Sequence, residues 1–452
     1  MIISEIRYNQ IVEKLRFDAE FYKPEFLSIE IKLNKAKSIS LKEITKFSKL
    51  RRNPENEPNK DFLYIDISNI NIFTGDIDAQ LLRGYEAPSR ARRVVKENDL
   101  ILSTVRPNRN AVAIIPKELD NQICSTGFSV IKAEKINPWF LFTFLKTKYA
   151  IKQLIRMTMA SMYPAVSEDD IGSILVPIPP LSFQRKIELL VKEAYKNRKE
   201  ADEKYKQAEF LLNKALGIEK LELKDEKIFE TGFDEVESVL RFDAEHYQPK
   251  YREVRKFLDR AGYEVRKLRD AVEISDEKIN PLSKPTELFS YIELANINPS
   301  TGEIEEVNQI KGYNAPSRAR MLVRKGDVLV SSLLGSLDNI GLVPEKLDGS
   351  IASTGFFVIR SKFFLPEFLF LLFKSDLMRL QLEEKTAGAI MNAVPKYTFG
   401  DLLIPVIPEQ LQKQISDLVK QSFTLRKESK ELLEKAKKEV EGFIEKNKNQ
   451  NP

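Results

Sequence analysis

Ala87–Pro116 reads APSRARRVVKENDLILSTVRPNRNAVAIIP, and far downstream Ala315–Pro344 reads APSRARMLVRKGDVLVSSLLGSLDNIGLVP. The correspondence extends in both directions. Arg16–Glu20 (RFDAE) recurs as Arg241–Glu245, and Tyr64–Ile77 (YIDISNINIFTGDI) as Tyr291–Ile304 (YIELANINPSTGEI). Ser125–Phe128 (STGF) recurs as Ser353–Phe356, and Val176-Pro177 with Pro180 as Ile404-Pro405 with Pro408. The offset drifts only from 225 to 228, half of the 452-residue chain. This is a tandem duplication whose period is too long for a solenoid unit, so each copy is a domain plus its connector.

Within a copy, short β-rich runs (Asp99–Val105 and Ala111–Ile115, matched by Asp327–Ser332 and Ile340–Val343) are separated by Gly, Pro and Asn turns. Pro138–Ile155 and Pro366–Leu382 read as amphipathic helices opened by proline. After Pro180, Ser182–Gly217 has no proline and no internal glycine. There Ile187, Val191, Ala194, Arg198, Ala201, Tyr205, Ala208, Leu212 and Ala215 fall at alternating steps of four and three. Ile415, Val419, Ser422, Arg426, Ser429, Leu433, Ala436, Val440 and Phe443 repeat the pattern. The pattern reads as a coiled-coil seam on a rod of roughly 54 Å, with two unrelated surface helices as the competing reading. Arg198 and Arg426 occupy the same seam place, where a cation weakens the seam and can fix its register. The fold class is α+β. Two tandem mixed α/β domains (1–180 and 231–408) are each followed by a long helix (181–217 and 409–447), with a linker at 218–230. Antiparallel pairing of the helices relates the domains by a pseudo-two-fold axis.

Composition narrows the chemistry. Hydrophobic residues make up 42%, enough for real cores, while 72 Lys plus Arg against 67 Asp plus Glu leave only +5. The single cysteine, Cys124, excludes an internal disulfide, and any catalytic triad or His metal site would rest on His246 alone. His246 aligns with Phe21, so the position wants a ring and not a proton shuttle. Cys124 aligns with Ala352, a small buried place, and Trp139 with Glu367, which hints at an exposed helix face. There is no GxxxxGK[ST] phosphate loop. The most apolar stretch, Phe363–Phe373, is too short to span a membrane. The chain reads as cytoplasmic, without cofactor or metal.

On RFDAEFYKPEF (Arg16–Phe26), RFDAEHYQPKY (Arg241–Tyr251), the paired APSRAR segments, the STGF strings and the proline-rich helix entries VPIPPLSFQ (Val176–Gln184) and IPVIPEQLQ (Ile404–Gln412), the chain resembles the specificity (S) subunit of Type I restriction–modification enzymes. The match covers nearly the whole length. It departs at Phe183-Gln184, where the family often has Glu-Gln. The resemblance implies two target recognition domains, each reading half of a split sequence in double-stranded DNA. It implies long helices that set the distance between the halves and help dock two methyltransferase (modification) subunits. Those carry adenine-N6 methylation, motor–nuclease (restriction) subunits add cleavage, and the S chain has no catalysis of its own. Consistently, the one Pro-Pro, Pro179-Pro180, follows Ile178, not the Asn or Asp of an adenine-methylating tetrapeptide. Competing readings are the specificity subunit of another restriction–modification or phage-defence assembly, and a coiled-coil scaffold that binds no DNA.

The duplication also sorts candidate DNA contacts. Shared positions suit scaffold, phosphate contact or partner docking; divergent ones suit base reading. Ser89, Arg90 and Arg92, matched by Ser317, Arg318 and Arg320, follow a proline in a polar loop, with Arg93 beside them. They are candidates for phosphate contact, with intradomain salt bridges as the competing reading. Ser103–Asn110 (STVRPNRN) stands where the second copy has Ser331–Asp338 (SSLLGSLD). Arg106 and Arg109 suit guanine and Asn108 suits adenine, whereas the second copy offers Ser336, Asp338 and Asn339. Residues 51–109 hold eight arginines and the aligned 279–337 hold three, so the two domains read different half-sites unless these loops are mere solvated turns. A second variable loop, Thr158–Val166 against Thr386–Val394, adds Ser161, Tyr163 and Asn392. Lys49, Arg51 and Arg52 form a basic cluster that suits either phosphate contact or plain solvation.

Overall fold

The structure is a computed structural model that describes residues 16–158, 164–221, 228–260, 262–305, 307–387 and 392–446, together with residues 5, 6, 8, 11, 12, 223 and 226. The described residues up to Arg198 and those from Lys427 onward make one compact unit, and Lys199–Arg426 makes the other. Each unit holds a globular part, half of the helix that follows it and half of the other copy's helix.

In the first unit, one four-stranded sheet runs in the order Gln80–Arg83, Asp61–Ile65, Ile123–Ser125, Ala91–Val94. Only its central pair, Asp61–Ile65 with Ile123–Ser125, is parallel. A second, wholly antiparallel sheet runs Thr45–Phe47, Phe128–Ala133, Leu100–Ser103, Val112–Ile114. The chain crosses from one sheet to the other at Thr126-Gly127, which explains the repeated STGF string. The sharp turn holds the Gly127 N–H against Ser125 Oγ (3.2 Å), and a side chain at Gly127 would meet Ile67. Ser38–Ser40 pairs with Leu175–Pro177, tying the start of the globular part to the entry of the long helix.

The second unit repeats this. Asn308–Lys311, Leu288–Ile292, Ile351–Ser353 and Ala319–Leu322 form one sheet, and Val272–Ser275, Phe356–Ser361, Val328–Ser331 and Ile340–Leu342 the other. Glu264–Lys267 pairs with Leu403–Val406.

The helices foreseen over Pro138–Ile155 and Pro366–Leu382 are each broken in two: Pro138–Leu145 with Lys148–Met157, and Pro366–Lys374 with Asp376–Lys385. The cause is a hydroxyl competing for the backbone. Thr147 Oγ1 donates to the Phe144 carbonyl (2.7 Å) and Ser375 Oγ to that of Leu372 (2.6 Å), closing the turn early.

The seam is observed. In the first unit, residues 181–198 run antiparallel to 427–446, with Phe183 on Phe443 (5.2 Å between ring centroids), Lys186 on Glu439 (2.6 Å) and Asn197 on Glu428 (3.2 Å). Ile187, Val191, Ala436 and Val440 are buried in the same core as Phe140 and Leu154. In the second unit, Tyr205, Ala208 and Leu212 share a core with Ile415 and Val419. Phe183, the departure from the family pattern, fills the space between Phe140 and Phe443.

The seam arginines do more than weaken the stripe. Arg198 Nε lies 2.5 Å from Asp76, and Arg426 reaches Glu303 (3.6 Å) as well as Asp202 (2.5 Å). Asp76 and Glu303 are the acidic residues of the two TGD/TGE turns, so each arginine fastens a helix to its own globular part. The glycines of these turns are fixed by sterics. Gly302 sits at φ +71°, and a Cβ there would collide with the ring of Phe370 and lie 2.8 Å from the Ile340 carbonyl oxygen. Gly302→Ala is expected to lower the stability of the second unit by about 2–4 kcal/mol, from left-handed strain plus overpacking, as a drop in its thermal unfolding transition.

One pair of positions exchanges charge between the copies. In the first unit Arg156 pairs with Glu30 (2.6 Å) and lies over the ring of Phe21 (4.0 Å). At the matching places the second unit has Glu384, Arg255 and His246. Arg255 pairs with Glu384 (2.8 Å), and His246 Nδ1 is 2.9 Å from the Glu384 carbonyl oxygen. Both rings meet the neighbouring tyrosine edge-on, so the His246 position is a ring position in a core. Burial lowers the imidazole pKa, against the hydrogen bond to Glu384. Cys124 is fully buried, and that burial pushes its thiol up to about 12. Trp139 is not a free helix face: it packs edge-on against Tyr195 (5.5 Å) on the first long helix, under the Lys192 ammonium.

Candidate nucleic-acid interface

The STG turn is a hub. In the first unit the Thr126 N–H donates to the Arg90 carbonyl (2.8 Å), and the Gly127 carbonyl accepts from the Thr104 N–H (2.8 Å). One hydrogen bond further out, the Val166 N–H donates to the Thr104 carbonyl (2.9 Å) and the Arg106 N–H to that of Pro164 (2.8 Å). The APSRAR loop and both variable loops, far apart in sequence, thus converge on one place. The second unit does the same: Thr354 N–H to Arg318 O (2.8 Å), Ser332 N–H to Gly355 O (2.9 Å), Val394 N–H to Ser332 O (2.8 Å) and Leu334 N–H to Asn392 O (3.0 Å). Every one of these bonds is backbone to backbone, so the loops can change side chains without losing their junction.

At this junction Arg106, Asn108 and Arg109 are exposed. The turn Pro107–Arg109 is bracketed by Arg106 at φ 48° and Asn110 at φ 56°; Arg106 precedes a proline, which disfavours the right-handed helical region there, and Asn tolerates the left-handed one. The corresponding turn Leu334–Ser336 starts from an extended Leu333 (φ −93°), so the two reading loops differ in backbone as well as in side chains. Asp338 and Asn392 are exposed there, but Ser336 Oγ is bonded to Ser331 Oγ (2.9 Å), and Asn339 Nδ2 donates to the Leu294 carbonyl (3.0 Å). Those two residues hold the turn. Ser161 and Tyr163 lie outside the described residues.

The shared arginines divide likewise. Ser89, Arg90, Ser317 and Arg318 are exposed, and among the described residues neither arginine has an ion-pair partner. Arg92 pairs with Glu55 (3.1 Å), Arg93 with Glu168 (2.7 Å), and Arg320 donates to Asn280 Oδ1 (2.5 Å), so these three serve their own domain. In the basic cluster, Lys49 pairs with Glu168, Arg52 donates to the Asn121 carbonyl (3.2 Å), and Arg51 is exposed, with its backbone bridged to Arg93. Burial opposes ionisation of Glu168, but the hydrogen bonds from Lys49 and Arg93 outweigh it and hold the carboxyl below its usual range.

Sequence reasoning passed over Lys146 and Lys374, which occupy matching places in the two copies, each at the end of the helix opened by proline. Lys146 Nζ donates to the Ile72 carbonyl (2.9 Å) and the Asn110 carbonyl (3.3 Å). Burial pulls its ammonium down to about 7, with Asp76 pulling the other way. Lys374 Nζ donates to the Pro299 carbonyl and to that of Asp338 (3.2 Å), and burial lowers its pKa too. The available signal was an identical lysine following a long apolar run in both copies.

Among the described residues no helix is long and apolar enough to cross a membrane. Residues 33–200 match the family described as the Type I restriction modification DNA specificity domain. The chain is similar to the HindI specificity subunit of Haemophilus influenzae, 27% identical over 133 residues, which is 28% of this chain and 26% of that protein's own length. It is similar to the MjaVIII specificity subunit of Methanocaldococcus jannaschii, 23% identical over 361 residues, covering 78% of this chain and 79% of the relative. Of solved structures, the Type I restriction–modification S subunit from M. genitalium superposes with a TM-score of 0.47 at 10% identity, over 91% of this chain and 95% of that one. With the duplicated motifs, the twin sheets and the seam all in place, residues 33–200 match the Type I restriction modification DNA specificity domain, and the chain is similar over most of its length to a specificity subunit of a Type I restriction enzyme.

Proposed function

We propose that the chain is the DNA-reading subunit of a Type I restriction–modification complex. It recognises a bipartite, asymmetric site in double-stranded DNA and docks two adenine-N6 methyltransferase subunits and the motor–nuclease subunits that cleave. The chain itself is non-catalytic and works in the cytoplasm. The observation that carries this reading is the hub. An identical backbone junction in both units holds loops whose exposed side chains differ, which is what two readers of different half-sites require. Arg106 and Arg109 face solvent to reach guanine edges and Asn108 to reach adenine, while Arg51, Arg90 and Arg318 supply phosphate contacts. Ser89 in the first unit, and Ser317, Asp338 and Asn392 in the second, are exposed in the loops that meet at their own unit's hub. Arg92, Arg93 and Arg320 give their guanidinium groups to the fold and drop out of the contact set.

Arg106→Ala is expected to relax one position of one half-site, with discrimination there falling by about 5- to 150-fold, the worth of a bidentate base contact of about 1–3 kcal/mol. The check is the methylated motif, read by modification-sensitive sequencing of DNA from cells carrying the variant complex. An unchanged motif with Arg106→Ala and with Arg109→Ala would remove this loop from base reading. A continuous motif without an unread spacer would overturn the bipartite reading.

A further inference from the structure

We infer that Lys146 and Lys374 are the positioning residues of the two reading loops, each clamping the far end of its loop to the TGD/TGE hairpin turn. The near end of each loop is fixed at the STG hub by backbone hydrogen bonds. The far end, Asn110 in the first unit and Asp338 in the second, has its carbonyl held by the lysine ammonium (3.3 and 3.2 Å). The same ammonium takes a second carbonyl across the gap, that of Ile72 in the first unit and of Pro299 in the second. These four acceptors sit on residues that differ between the copies, while the lysine does not.

The chemistry explains that pattern. An ammonium has three donors and no acceptor, and a carbonyl oxygen offers the same acceptor on any residue. Such a clamp is blind to side chains, so the loop it holds is free to carry any reading residues. The lysine is well placed to stay put. It follows the last turn of its helix in the first unit and ends it in the second, where the carbonyl ends favour a cation, and Lys146 also lies 5.6 Å from the centre of the Phe142 ring. Burial of the clamp raises its worth, because a carbonyl stripped of its donor inside the fold pays a desolvation cost that a surface one does not. Asn110 adds to this: its Oδ1 is buried without a partner, so the backbone of this residue is held by the clamp and by its turn rather than by its side chain.

The inference rests on the DNA-reading assignment of these loops, and the two can fail separately. The test uses the full chain in its complete modification complex, with the methylated motif and the rate at singly mismatched sites as readouts. Lys146→Met is expected to reduce discrimination about tenfold at the positions read by loop 103–110, with the other half-site unchanged, and Lys374→Met to do the converse. The untouched half-site in the same molecule is the internal control: a merely structural loss in one unit lowers methylation at all sites without broadening the motif. Full discrimination at both half-sites in both variants overturns the clamp. If Lys146→Met does not fold, the less buried Lys374→Met decides the question. If Arg106→Ala and Arg109→Ala leave the motif unchanged, the loop assignment fails. If they change it and the lysine variants do not, only the clamp fails.

Discussion

Replacing Arg156 by Glu is expected to lower the stability of the first unit by about 3–5 kcal/mol, the cost of breaking a buried ion pair from one side. The Arg156 side chain is 10% exposed and that of Glu30 24%, so the new carboxylate would face an existing one with little water between them. It would also replace a cation over the face of Phe21 by an anion, turning attraction by the ring quadrupole into repulsion. The second unit shows how the fold accepts an acid at this place: Arg255 stands where Glu30 does, and His246 where Phe21 does. Arg156→Glu with Glu30→Arg should therefore recover most of the loss, and adding Phe21→His should recover more. Scanning calorimetry of the full chain measures all three, and a double variant no more stable than the single one would refute the exchange.

The second large effect is expected at Arg426. Its side chain is 4% exposed, and Glu303, one of its two acidic partners, is 11% exposed. Arg426→Met keeps the volume and improves the seam as a hydrophobic stripe, yet it takes the cation away from beside a buried carboxylate. The net cost is about 3–5 kcal/mol. Adding Glu303→Gln removes the charge that made the substitution costly, so the pair should lie well above the single variant in urea denaturation. If Arg426→Met instead stabilises the protein, the arginine is only a seam defect and the anchoring role is wrong.

That role was hidden in the sequence for a definite reason. The 4–3 spacing displays Arg426 as an intruder in an apolar row, and periodicity carries no information about an acid as far upstream as Glu303. The same limit separates what was legible at the interface from what was not. The repeat made the two mixed α/β domains with their short β runs, the two long helices and the two variable loops legible, because each leaves a pattern along the chain, whereas the pairing of the strands into two sheets per unit leaves none. The fate of single arginines leaves none: Arg93 looked as free as Arg90 until Glu168, remote in the chain, proved to hold it. Ser336 and Asn339 were read as contacts because polar residues in a divergent turn look alike whether they face solvent or close the turn. The lysine clamps escaped notice because their partners are main-chain carbonyls, which every residue has.

The make-up of the first unit bears on how the protein is born. It is assembled from both ends of the described chain, with the whole of Lys199–Arg426 in between. At a synthesis rate of about 5–20 residues per second, Ile187 and Val191 wait on the order of ten to fifty seconds after emerging before Ala436 and Val440, which share their core, arrive. During that interval the nascent chain carries an open apolar stripe, and a neighbouring ribosome on the same message carries another. The moment of greatest risk for this protein thus falls during translation, and slow codons between the two copies would prolong it.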